Sequence, residues 1–389
     1  MSLVDRIFKD MDMGEAKRYL VERRGDPLEA KPGGGGIVNV FFVVKALSDL
    51  ILRHEGADDL VEVAVAGQVV PAITDSKFDA AYRRTMLYLQ HNIFKEYGKD
   101  IASKISETLS IVADRPPNDN IGVLAQALLS ADGLKLRVLD GMYNCALRPY
   151  DVGGKEYIEG YCRECPACFL FGFAVQEEGA RSKRVSVTCR GRSYKLQVGS
   201  YNVQARVRGD LYPATAPSDK ITDFRTHNAV DDVTKTTGRA LMTIRYVAAG
   251  ATFVGKISFY DVSLNELLLL LATLVKIPRI GAVWSDYGRV EITVPALVFA
   301  DQELGSGYEI AERILSKGMG EDPVEEVVEY AKSFDKTGYV YVDRELTDRL
   351  FKLGREELKD IVVNAWRDAV LLKLSYEAFV QEIGRPREG

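Results

Sequence analysis

Three thiols fall within seven residues, at Cys162, Cys165 and Cys168 of the stretch GYCRECPACFLFGF. CxxCxxC on a tight turn is a spacing that ligates a soft metal, and a closed tetrahedral zinc site requires four such ligands. No histidine lies nearby, so the fourth comes from Cys145 or Cys189. Cys189 follows Val185 and Val187 at strand spacing and is expected to share their apolar face as a small core residue. Cys145, in the irregular stretch GMYNCALRPY, is the better donor. The expectation is a Zn2+ ion held by Cys145, Cys162, Cys165 and Cys168, with no open position and therefore a structural role. An iron-sulfur cluster starts with the same spacing, but its run continues to a fourth Cys followed by Pro, where this chain has Gly172. Three unliganded thiols are the remaining reading.

Acid-base chemistry is less well marked. His54 and His91 sit in or beside apolar patterns, while His227, in a basic loop, is the histidine placed to act as a general base on RNA. The acid pairs Asp58-Asp59 and Asp231-Asp232 could hold a divalent ion for phosphodiester cleavage, yet adjacent carboxylates in loops are ordinarily just solvated. No catalytic constellation emerges, and the chain is not expected to be an enzyme. Charge is better organised. The formal net charge is -5, but Arg181 to Gly209 carries eight Lys or Arg and no acid, whereas Asp301 to Gly389 is rich in Asp and Glu. That asymmetry implies a basic working face and an acidic, solvated or partner-facing region; basic residues lining the solvent side of strands are the plainer alternative.

The five cysteines do not form an evenly spread disulfide framework, and the opening MSLVDRIFKDMDMGEAKRYL lacks a signal-peptide core, so a cytoplasmic protein is expected. The longest apolar run, LLLLLATLV, is well short of the roughly 20 residues that span a bilayer, and no membrane partner is expected.

The elements that must position these groups follow from periodicity. After a polar, helical N-terminal piece, KPGGGG breaks regular structure and leads into IVNVFFVVKAL, a buried strand. The four glycines lack the Walker spacing and its Lys-Ser/Thr ending, which makes them a connector before a phosphate loop. DSKFDAAYRRTMLYLQHNIFKEYG places Phe78, Ala81, Tyr82, Met86 and Leu89 on one helical face, with Lys77, Arg83 and Arg84 near its first turns. A mixed insertion occupies 99–180. Strands resume with RVSVTCRG, SYNVQARVRG, RALMTIRYVAAG and ATFVGKISFYDV; SLNELLLLLATLVK is a helix capped by Ser263, and YGRVEITVPALVF is the last strand. Everything after Gly305 reads as helices. From Pro213 to Gly238 periodicity is weak, and a loop of that length with Lys220, Arg225, His227 and Lys235 suits gripping an extended polar polymer. The fold class is α+β, a ferredoxin-like βαββαβ core carrying insertions: 37–98 and 181–300 form the core, 99–180 a helical and zinc-binding insertion, 213–238 a long loop, and 301–389 a C-terminal helical region.

Several short motifs, in order along the chain, carry a family resemblance. CPACFLFG resembles the C-P-x-C-x-x-F-G signature of the RAMP-superfamily backbone subunits of CRISPR effector complexes, TDSKFDAAYRR their S-x-K helix start, FRTHNAVDDVTKTTGRAL their R-x-x-N-x-V-D loop, and RIGAVWSDYGRVEI their glycine turn before the last core strand. Length, cysteine module and separate C-terminal helices make the chain most similar to the type I-D backbone subunit. The resemblance implies that the core is RRM-like and the long loop 213–238 a lid or thumb. It also implies a subunit that polymerises with copies of itself and other subunits along a guide RNA (crRNA), gripping the single-stranded backbone without reading sequence. Carried over residue by residue, it implies phosphate contacts from Lys77, Arg83, Arg225 and His227, with Arg279 and Arg289 flanking the glycine turn. A groove tracking single-stranded RNA needs cations for phosphates and rings for bases, and Arg190, Arg192, Tyr194, Lys195, Tyr201, Arg206 and Arg208 interleave them. Related type III subunits cut RNA with an aspartate after the first strand; Asp58, Asp59 or Asp75 would be the equivalents, making a metal-dependent endoribonuclease the alternative, but no motif selects one and cleavage is not expected.

Overall fold

A computed structural model describes residues 2–23, 35–53, 59–113, 134–138, 145–149, 166–171, 183–189, 192–198, 205–230, 237–281, 287–318 and 322–383. Its centre is strand β1, Ile37–Ala46, in which every residue but Lys45 is buried. Both faces of a strand must be covered for such a run to be stable, and its composition is that of a strand buried on two sides. Two short helices, α1 (Leu3–Ile7) and α2 (Met13–Lys17), precede it.

Strands β2 (Glu62–Val65) and β3 (Gln68–Ile73) follow as a hairpin, where the sequence reading placed a loop. Ala66 and Gly67 make its two-residue turn with φ of 50° and 75°, the left-handed pair such a turn requires. Helix α3, Asp75–Ala113, buries Phe78, Ala81, Tyr82, Met86 and Leu87 and has a non-helical residue at Tyr97 (φ -114°, ψ 24°). Three short antiparallel or helical pieces come next: β4 (Leu134–Val138) with β5 (Cys145–Pro149), α4 (Pro166–Phe171), and β6 (Lys183–Cys189) with β7 (Arg192–Val198). In place of a longer strand across SYNVQARVRG, the described residues hold only β8, Val207–Arg208.

Beyond β9 (Tyr212–Pro213) and the single turn α5 (Ser218–Ile221), residues expected to be irregular form strand β10, Thr222–Val230, paired with β11, Thr237–Val247. Its polar, Thr-rich alternation hides the strand because neither face enters the main core. Strand β12 (Thr252–Tyr260), helix α6 (Leu264–Leu274) and strand β13 (Val290–Ala300) complete the centre. The C-terminal part adds α7 (Gly307–Lys317), α8 (Pro323–Lys332), α9 (Leu346–Phe351) and α10 (Arg355–Ile383). It is not purely helical: β14, Tyr339–Val342, is a strand of the central sheet.

That sheet has the order β14-β13-β1-β12-β8, with every neighbouring pair antiparallel. On one face Phe42 stacks on Phe78 of α3, and the Tyr82 hydroxyl donates to Leu270 O, 2.6 Å, tying α3 to α6. On the other, Phe41 meets Tyr330 and Phe334 of the α8 region at ring distances of 5.8 and 6.0 Å. Helix α10 packs across α3 and α6. No helix among the described residues is long and apolar enough to cross a membrane.

Candidate nucleic-acid interface

The base of the β10-β11 hairpin gathers cations and rings. Backbone bonds between Leu50 and Val247, both 2.8 Å, pin β11 to the segment after β1. Asp223, Arg225, Ile244 and Tyr246 share one hairpin face by register, and there Ile244 packs with Ile51 and Tyr287. Arg225 lies beside two rings, its guanidinium carbon 5.5 Å from the centroids of both Tyr246 and Tyr287. It also donates to the Tyr287 hydroxyl at 3.2 Å and pairs with Asp49 at 3.3 Å, yet its side chain stays 48% exposed. Rings beside a guanidinium restrict its orientation, and its exposed part can still donate to an acceptor.

Arg279 and Arg289 join this cluster. They face each other across an isolated antiparallel bridge, and Arg279 Nη1 donates to Tyr287 O at 2.5 Å. The Arg289 backbone is fastened to Ser48, and its side chain is exposed. Next to Arg225, Phe224 leaves a ring 64% exposed on the opposite hairpin face, cross-strand from Arg245. Arg245 serves structure: it forks onto Glu62 at 2.8 and 3.1 Å and reaches Asp59 at 3.3 Å.

A second grouping lies at the sheet edge. Arg208 on β8 is exposed and lays its guanidinium 4.6 Å over the Tyr260 ring. The loop just after it meets the start of α3: a Cβ on Gly209 would stand 2.5 Å from the Tyr212 hydroxyl and 3.2 Å from Asp79 Oδ1. Lys77 and Arg83 are half-buried on the first turns of that helix. Asp79 Oδ1 is buried without a partner, and burial, reinforced by Asp75 one turn earlier, pushes its pKa up to about 7.

Arg206, placed by its spacing among the RNA contacts, is inside the protein. Its Nη2 donates to Glu266 Oε1 at 2.6 Å and its Nη1 to Glu266 Oε2 at 3.1 Å and Asp261 O at 2.7 Å. Arg23 reaches the same carboxylate at 3.4 Å. Ser263 and Glu266 form the capping box of α6, and Ser263 Oγ donates onward to Asp368 of α10 at 2.5 Å. Burial would raise the Glu266 pKa, but Arg206, Arg23 and the Ser263 N–H outweigh it and hold it at about 2. The sequence cannot distinguish Arg206 from Arg208 by type; the difference is the neighbour each meets, the buried Glu266 for Arg206 just before β8 and the Tyr260 ring at the surface for Arg208 on it.

The remaining expected residues fall elsewhere. Arg190, Cys162 and Cys165 lie outside the described residues, as do the side chains of Arg192, His227, Cys145 and Cys168. Among the described residues no group of three His, Cys, Asp or Glu is arranged to hold a metal. Asp58 is not described; Asp59 is engaged, its pKa lowered chiefly by the Leu60 N–H, with Arg245 adding to it. Sequence reasoning missed Phe224, Tyr246, Tyr260 and Tyr287. A usable signal was present, because a ring sits beside or near an arginine in DFRT, IRYV and DYGR.

Comparison with known proteins places the chain. No curated protein matches it. Among solved structures, Csc2 of Thermofilum pendens aligns over 99% of this chain and 99% of its own at 20% identity, with a TM-score of 0.58, so the two share a fold. Two chains described as a CRISPR RNA-guided surveillance complex, one of them pre-nicking, align at TM-scores of 0.40 and 0.39. They are 10% and 12% identical, over 85% and 77% of this chain and 99% and 89% of theirs, too distant to define the fold. The family model described as Csc2 Crispr matches residues 123–383. That match spans more than half of the chain, which therefore belongs to the Csc2 Crispr family.

Proposed function

We propose that the protein is a non-catalytic, crRNA-binding backbone subunit of a type I-D CRISPR interference complex, a RAMP-superfamily member that binds single-stranded RNA by its phosphates and assembles with copies of itself and other subunits. Family membership supports the setting. The observation that carries RNA binding is Arg225, held by Tyr246 and Tyr287 beside Arg279 and Arg289, with Phe224 bare next to it. Cations at fixed positions with an exposed ring next to them in sequence suit a strand whose phosphates are gripped and whose bases stack without being read.

The order of the central strands supports a ferredoxin-like core: β13-β1-β12-β8 with α3 after β1 and α6 after β12 is a βαββαβ unit, extended by β14. An RRM stacks bases on its open sheet face. Here both faces of β1 are covered, so the RNA path is assigned to the hairpin base and the sheet edge. Zinc at Cys145, Cys162, Cys165 and Cys168 is part of the same proposal; thiolate donors suit Zn2+, which would stabilise the insertion outright.

The test is binding of labelled single-stranded RNAs of unrelated sequence over a salt series. Expected is similar affinity for all sequences and a linear fall of log K with log salt. Sequence-dependent affinity, or RNA cut in the presence of magnesium, would overturn the reading. Elemental analysis with an absorbance spectrum separates zinc from an iron-sulfur cluster.

A further inference from the structure

Along β12, Lys256, Ser258 and Tyr260 alternate onto the sheet face that carries Phe41 and Asn39 of β1, by the register Phe41↔Lys256 and Asn39↔Ser258. At Phe41 that face is closed by Tyr330 and Phe334. Further along, the cover passes to the segment after β13, which Asn39 pins from below. Its Nδ2 donates to Gln302 O at 3.2 Å, and its Oδ1 accepts from Leu304 N at 3.0 Å and Ser258 Oγ at 3.1 Å.

From this pinned segment the Glu303 side chain turns back onto the sheet. It accepts from Lys256 Nζ at 3.4 Å and from the Tyr260 hydroxyl. The partners are unequal in exposure: Glu303 is 43% exposed and Lys256 5%. Lys256 also donates to the Ser258 hydroxyl at 3.0 Å. Arg208, cross-strand from Ser258, covers the Tyr260 ring and faces solvent.

A nearly buried ammonium requires an anion, because stranding it costs several kcal/mol. The anion here is a side chain on the surface, and it can swing out by χ rotation while Asn39 holds its backbone. A phosphate oxygen would meet the same two donors. An exposed guanidinium over the Tyr260 ring adds the cation-and-ring pairing that suits a nucleic-acid backbone better than a protein carboxylate.

We propose that Lys256, Tyr260 and Arg208 form a second RNA-phosphate site at the edge of the central sheet, which the Glu303 carboxylate fills in the free chain and yields to an RNA phosphate. The inference rests on the RNA-binding reading above. It makes Glu303 a competitor of RNA: affinity is lowered by the work of displacing it, and the Lys256 contact forms only when it leaves.

Salt-series binding of single-stranded RNA to the full chain, wild type against Glu303→Gln, tests this. Neutralising Glu303 keeps its shape and its acceptor oxygen but weakens its hold on Lys256. Expected is roughly three- to ten-fold tighter binding. The magnitude of the log–log salt slope is expected to rise by up to about 0.7, the increment for one phosphate on a single strand. Lys256→Met in the Glu303→Gln background should cancel both gains. Glu303→Asp, which shortens the carboxylate without removing charge, should give a smaller gain and serves where Glu303→Gln lowers the melting temperature. If wild type binds RNA and neither variant changes affinity or slope, the proposal is overturned and the functional reading stands. If wild type binds no RNA at any salt, the functional reading falls and this proposal with it.

Discussion

Two arginine clusters in this chain use the same chemistry in opposite ways. Around Glu266, two guanidinium groups from distant parts of the sequence, Arg23 and Arg206, are drawn onto one fully buried carboxylate at the start of α6. Around Tyr287, Arg225 is fixed by rings and by a partly exposed Asp49, and keeps nearly half its side chain in solvent. In the first cluster the opposing anion is supplied internally and charge is used for architecture. In the second the pairing with Asp49 is partly exposed and nearly half of the Arg225 side chain stays in solvent, where it can still meet a ligand. Basic composition alone does not separate the two; the buried acid does.

Removing that acid should therefore have the largest effect in the molecule. Glu266→Ala would remove the buried carboxylate that Arg206 and Arg23 share, leaving Arg23 to Asp261 at 3.5 Å, and would break the α6 capping box, at a cost of about 3–5 kcal/mol. Thermal unfolding of the variant should show a large fall in melting temperature or no cooperative transition. A near-native transition would mean that the cluster is not structural.

Acid offers a gentler way to the same break. Glu266 has a folded pKa of about 2, below the ordinary 4.5 of a glutamate in water. Stability from this group is thus fully present above about pH 4.5 and is lost as pH falls toward 2, because the unfolded chain takes up the proton first. Asp79 has the opposite sign. Its folded pKa of about 7 lies above the ordinary 3.8 of an aspartate in water, so its burial becomes increasingly unfavourable as pH rises between the two. Asp79→Asn should raise the melting temperature at pH 8 and leave it nearly unchanged at pH 4, an effect of about 1–2 kcal/mol after discounting for its half-buried position. A variant no more stable at pH 8 would show that the Asp79 carboxyl finds a partner in solution.

Some of this was legible in the sequence and some could not be. The Val- and Phe-rich run of β1, the Ser263 cap and the Phe78-to-Met86 face of α3 are local signals, and each describes its element correctly. Strand β14 was missed because YVYV is only four residues between helical stretches, and its pairing partner Phe299 to Ala296 lies some forty residues upstream. Strand β11 was expected from RALMTIRYVAAG, but its partner β10 was missed, because Thr222 to Asn228 alternates mostly polar residues. Among the cations the sequence marked, Arg225, Arg279 and Arg289 meet in space, whereas Arg206 does not join them. Residue type and spacing give no sign of that, since the deciding neighbour, Glu266, belongs to another element.

At the second cluster, Arg225→Ala should weaken RNA binding by about 1–2 kcal/mol, five- to thirty-fold, and reduce the salt slope by about 0.7, with little change in melting temperature. An unchanged slope would remove Arg225 from the phosphate contacts and with it the distinction between the two arginine clusters.

The smallest expected effect sharpens that distinction furthest. Phe224 carries no charge and touches little of the fold, being 64% exposed on the face of the hairpin opposite Arg225. If RNA passes over the hairpin base, its ring contributes by stacking, at the low end of about 1 kcal/mol per base. Phe224→Ala should then weaken binding about five-fold at every salt concentration, shifting the log–log line without tilting it, because no counter-ion is released by a ring. A lowered slope would show that the variant disturbs neighbouring cations. An unchanged affinity would confine the RNA to the Arg225 face, making the hairpin a one-sided wall and leaving Phe224 to a protein partner.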